Sequence, residues 1–84
     1  MMFRNILFKD LKQLLFNLEF KVVPTLGNHY IFEHPISKAL VILPQYEDQA
    51  YLDRTHLVAV RRILIENGLI DDVRLDSILE KVPS

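Results

Sequence analysis

Residues 20–44 read FKVVPTLGNHYIFEHPISKALVILP, and three short extended runs within them decide the fold. Phe20 to Val23 is rich in β-forming side chains and stops at Pro24, which has no N–H to give to a ladder. Thr25 to Asn28 contains a glycine and reads as a turn. His29 to Glu33 is the second run. It ends at His34-Pro35, because the residue before a proline is pushed towards extended geometry. Ile36 to Lys38 is a second turn, and Ala39 to Leu43 a third run stopped by Pro44. Connections this short join neighbouring strands antiparallel, so the stretch predicts a three-stranded meander.

Helical periodicity lies on either side. Leu7, Phe8, Leu11, Leu14, Leu15 and Leu18 recur at steps of three and four, which predicts a helix over about residues 5 to 18 with Lys9, Asp10, Lys12, Gln13 and Asn17 on its polar side. Gln45 to Leu52 is polar and irregular. Asp53 offers an N-cap to a second helix from about Arg54 to Asn67, with Leu57, Val60, Ile63 and Leu64 as its apolar stripe. Gly68 suits the left-handed residue that ends a helix. Asp71 or Asp72 can cap a last short helix to about Lys81. The resulting order, α-β-β-β-α-α, predicts a single α+β domain over residues 1–84, its helices packed on one face of the sheet.

Composition narrows the class. The 84 residues are half apolar, with five phenylalanines and three tyrosines, enough for a core in one small domain. There is no cysteine, which excludes disulfides and thiolate metal sites and favours a reducing, cytoplasmic setting. The longest unbroken apolar run, Ala39 to Leu43, is far short of a membrane span, and Met1 to Phe8 lacks the pattern of a signal peptide. Net charge is −1, against the strong basicity of nonspecific nucleic-acid binders. Residues 1 to 45 carry five Lys/Arg and three Asp/Glu, whereas residues 46 to 84 carry five and eight.

Alternation along the second strand separates Tyr30 and Phe32 from His29, Ile31 and Glu33. Burying the two aromatics under the helices is the favourable choice, because His29 and Glu33 there would need hydrogen-bonded partners. His29 and Glu33 are therefore expected on the face away from the helices. That face also takes Ile31 and one side of an apolar third strand, where Leu40 and Ile42 alternate with Val41 and Leu43. Two apolar faces on one small sheet predict a cover for the second, either another copy of the chain or a partner protein.

Gly27-Asn28-His29-Tyr30-Ile31-Phe32, Val41-Ile42-Leu43-Pro44 and Arg61-Arg62-Ile63-Leu64-Ile65-Glu66-Asn67-Gly68-Leu69 stand in an order and spacing that resembles the HicA-type toxins, also called YcfA-like mRNA interferases. The resemblance spans about residues 7 to 70. It implies a double-stranded-RNA-binding-domain-like fold, metal-independent RNA cleavage without a cofactor, and a HicB-like antitoxin as protein partner. It also implies that His29, the histidine after the glycine turn, is the catalytic residue. Four positions depart from the family pattern: Asn28 replaces a serine, Glu19 a glycine, Tyr46 a second histidine and Ala59 a threonine.

The chemistry such a role needs is a base for the 2′-OH proton and donors for charge on the phosphorane. His29 supplies the base, and Lys21, Lys38 or backbone amides of the Gly27-Asn28 turn are the candidates to hold the phosphate. The alternative reading is a non-catalytic interaction module on the same fold, a homodimer through the open sheet face or a subunit of a complex. Other residues read as structural. His34 is expected in a surface turn. His56 falls in the first turn of the second helix, where the dipole disfavours its protonation. A metal site from His29, Glu33 and His34 fails because His34 points to the opposite face. Arg61 and Arg62 are within reach of Glu66 on a solvated helix face. Tyr46 and Tyr51 are read as loop-packing residues that have the rings to stack on bases.

Overall fold

The computed structural model describes residues 6–81. It contains α1 (Phe8–Asn17), β1 (Lys21–Val23), β2 (His29–Glu33), β3 (Leu40–Pro44), α2 (Arg54–Glu66) and α3 (Asp72–Lys81). The strands form one antiparallel sheet in the order β1-β2-β3. The α+β layout predicted by the strand and helix patterns is the layout observed.

Alternation sorts the sheet into two layers. Register pairs Phe32 with Val22 and Val41, and Tyr30 with Leu43. Phe32 and Val41 are fully buried, together with Phe8, Leu15 and Leu64 from the helices. Tyr30 packs its ring on Phe8, centroids 5.2 Å apart. Leu75 and Leu79 of α3 join the same core. All three helices therefore serve one face.

The helix ends show how local chemistry sets these positions. Residue 5, where the first helix was expected to begin, lies outside the described residues, and the helix itself starts at Phe8. Leu7 is extended and bridges Tyr51 instead. No side chain caps α1. Its leading amides are satisfied by the Gln45–Leu52 loop, which doubles back: Phe8 N–H donates to the Ala50 carbonyl (2.8 Å) and Lys9 N–H to that of Asp48 (3.0 Å). A Lys12–Asp48 ion pair at 2.7 Å reinforces the contact. Asp53 occupies the N-cap position of α2, but its side chain makes no capping bond. Asp71 does cap α3, its carboxylate accepting the Arg74 N–H at 2.7 Å.

The C-terminal ends of α1 and α2 share one geometry. Glu19 N–H donates to the Phe16 carbonyl and Phe20 N–H to that of Leu15; Gly68 N–H donates to Ile65 and Leu69 N–H to Leu64. Each is a Schellman turn with its C′ residue in the left-handed region, Gly68 at φ 68° and Glu19 at φ 75°. Glu19 is the position where the resembled family carries glycine. The chain here adopts the glycine conformation without the glycine.

Candidate functional site

The face away from the helices carries three rows of side chains. Register places Lys21, Glu33 and Leu40 in one row, Val23, Ile31 and Ile42 in the next, and His29 with Pro44 in the last. Ile42 remains 57% exposed and Leu40 46%, although both lie on a sheet in a domain of 84 residues. The central row is apolar across all three strands. Charged and titratable groups flank it at opposite ends of β2.

His29 opens β2 and is exposed. The turn before it is held by Thr25, whose Oγ1 donates to the His29 carbonyl at 3.2 Å. On the other side, Gln45 N–H donates to the Asn28 carbonyl at 3.1 Å. Among the described residues, the amides of Gly27 and Asn28 make no hydrogen bond, so both remain available as donors beside the imidazole. Gly27 is not in the left-handed region. A Cβ there would meet His29 Nδ1 at 3.7 Å, an ordinary contact. The turn needs no glycine for its backbone. What the missing side chain provides is open space over the histidine ring.

Of the expected phosphate-holding residues, the structure brings only Gly27 and Asn28 to His29. Lys21 pairs with Glu33, four residues along β2 from His29. At the strand rise this is about 13 Å. Lys38 lies in the β2–β3 turn, at that same far end, with φ 65°. The separation is a consequence of the antiparallel meander, which sets both lysines at the end of β2 opposite His29.

His34 is not a surface turn residue. It is buried, with its ring edge-on to Phe20 at 5.3 Å. Its Nδ1 accepts the N–H groups of Ile36 (3.3 Å) and Ser37 (3.2 Å), which needs that nitrogen unprotonated. It thus organises the β2–β3 turn from the covered side. Among the described residues, no three His, Cys, Asp or Glu side chains stand together as metal ligands.

Two further groupings were missed in the sequence. Tyr46 Oη lies 2.6 Å from His56 Nδ1 and accepts the Asp53 N–H at 3.0 Å, tying the loop to the start of α2. Tyr46 also stacks on Phe8, centroids 5.5 Å apart, so its ring belongs to the covered layer. Tyr51 is the more exposed tyrosine. Arg61 pairs not with Glu66 but with Asp76 of α3, through Nε (2.9 Å) and a second guanidinium nitrogen (3.1 Å). This two-pronged hydrogen bond holds the Asp76 carboxyl below its ordinary range and the Arg61 guanidinium above its own. The only local signal for either grouping was the Asp53–His56 spacing, one helical turn apart.

Fold and site together define a small α+β domain with one covered sheet face and one open face, the open one apolar at its centre and bearing an exposed histidine at one end. No family model, curated protein or solved structure matches the chain. No helix among the described residues is long and apolar enough to cross a membrane.

Proposed function

We propose that this chain is a HicA-like RNA-cleaving toxin, with His29 as its general base and the open sheet face as the surface that a HicB-like antitoxin covers. The supporting observation is the placement of His29. It is the exposed first residue of the central strand, directly after the glycine turn, in a domain with the α-β-β-β-α order that the resemblance implies. In this reading the imidazole takes the proton of a ribose 2′-OH. The 2′-oxygen then attacks the adjacent phosphorus, and the 5′-oxygen leaves with a proton from solvent, giving a cyclic phosphate and a free 5′-OH. In this reading the Gly27 and Asn28 amides, which make no hydrogen bond among the described residues, serve as donors to the phosphorane charge. Lys21, about 13 Å off, and Lys38, in the turn beyond that end of β2, would touch only a neighbouring phosphate of the strand. No cofactor enters the scheme, and the compartment it requires is the cytoplasm, where RNA and antitoxin both reside.

The test is expression of the chain alone. The wild type should slow growth and yield cleaved RNA, and purified protein should cleave RNA in the presence of a chelator. His29→Ala should do neither, with its unfolding curve unchanged. Equal behaviour of the two proteins would remove His29 from catalysis.

A second reading is favoured by a different observation, the apolar row Val23–Ile31–Ile42 with Leu40 beside it. An apolar strip half-buried at Val23 and Ile31 and exposed at Ile42 and Leu40 suits protein binding better than RNA binding, which draws on positive charge. In this reading the domain is a non-catalytic interaction module.

A further inference from the structure

The pattern on the open face is self-complementary, and we propose that its occupant is a second copy of this chain. Two sheets packed face to face can be related by a two-fold axis running along the strands or across them. An axis along β2 would set Glu33 on the partner's Glu33 and Lys21 against an apolar residue. An axis across the strands, along the row Val23–Ile31–Ile42, does the opposite. Each residue of the central row meets its own copy, apolar on apolar. The row on one side of the axis meets the row on the other. Glu33 then faces the partner's His29, and Leu40 faces the partner's Pro44, each contact made twice by symmetry. The charge and hydrogen-bonding groups of the face thus select one symmetry operator.

The loops obey the same operator. Leu26, in the β1–β2 turn, and Ile36, in the β2–β3 turn, are 110% and 82% exposed. Each lies five residues from Ile31, in opposite directions. A two-fold through Ile31 across the strands brings the Leu26 end of one copy to the Ile36 end of the other, so both exposed apolar tips gain an apolar neighbour.

Area sets the strength. Two strands of five residues and one of three, about 4.8 Å apart, give a flat footprint of roughly 200 Å², well under the ~800 Å² per partner of a standard interface. The loop tips add to this without reaching that size. The dimer is weak, forms with concentration and covers His29. This inference rests on the interaction reading of the open face and names its partner.

Sedimentation equilibrium of the full chain, from about 10 μM to about 1 mM, tests it. The wild type should pass from monomer to dimer across that range. Ile42→Lys should raise the dissociation constant at least about tenfold with an unchanged unfolding curve, and Val58→Lys, on an exposed part of α2, should leave it unchanged. Glu33→Lys and His29→Glu should each weaken the dimer, and the two combined should restore it, since the exchanged charges face each other again. A wild type that stays monomeric throughout overturns the proposal, as does a double variant no tighter than the weaker single one. If the wild type stays monomeric while Ile42→Lys loses a different protein bound to this face, the interaction reading stands and the second copy falls.

Discussion

Phe32 and Ile31 are neighbours on β2, yet they occupy two different surfaces. Phe32 is fully enclosed by α1 and the flanking strands, whereas Ile31 sits in an apolar row that no helix covers. One face of the sheet holds the domain together. The other is carried by the same backbone and contributes far less to stability. A residue on the open face can therefore be replaced to test function without unfolding the protein, which is what gives His29 and Ile42 their value as experimental handles.

The largest expected effect is on the covered face. Phe32→Ala should cost about 3–5 kcal/mol, because it removes a large buried side chain and leaves a cavity among residues that cannot all collapse into it. That approaches the whole stability of a small domain. Ile31→Ala, one position along, should cost about 1 kcal/mol or less. Urea denaturation of both variants measures the difference. Similar losses would mean that the open face is packed and that the two-surface description is wrong.

A smaller effect, of opposite sign, belongs to the turn that delivers Phe20 into the covered layer. Glu19 holds φ 75° there, a conformation that costs a residue with a Cβ roughly 1–2 kcal/mol. Glu19→Gly relieves this and loses some of the gain to the greater freedom of glycine in the unfolded chain. The net expected is stabilisation by about 0.5–1 kcal/mol, read as a rise in Tm of several degrees. The same Schellman turn at α2 provides the control: Gly68→Ala should destabilise, by about 1 kcal/mol.

These contrasts also mark how much could be read from residues alone. The meander and the division of its faces were legible, because alternation and proline stops are local and have a fixed period. His29 on the open face followed from the same alternation. The long-range partners were not legible. Asp48 and Ala50 serve the start of α1 through a loop whose path no periodicity records. The place of His34 before Pro35 at a strand end suggests a surface turn, while its actual work is to accept two turn amides from inside the fold. The separation of His29 from Lys21 and Lys38, by contrast, is contained in the legible meander, which sets both lysines at the Glu33 end of β2.

Arg61 shows the same limit and carries the smallest of the expected effects. Read along α2, its partner is Glu66; in the fold it is Asp76, which joins α2 to α3 over the covered face. The hydrogen bond from Arg61 depresses the Asp76 pKa in the folded state. A carboxyl depressed on folding contributes stability that is complete above its unfolded value, about 3.9, and is lost as pH falls through the lower folded value. Wild-type stability should therefore fall more steeply than that of Asp76→Asn as the solution is acidified below about pH 4. At neutral pH the variant should be the less stable of the two, and in strong acid the gap should close. Urea midpoints across that range are the measurement. A gap that stayed constant with pH would show that Asp76 acts by packing alone, and that the charge on it does nothing to keep α3 over the sheet.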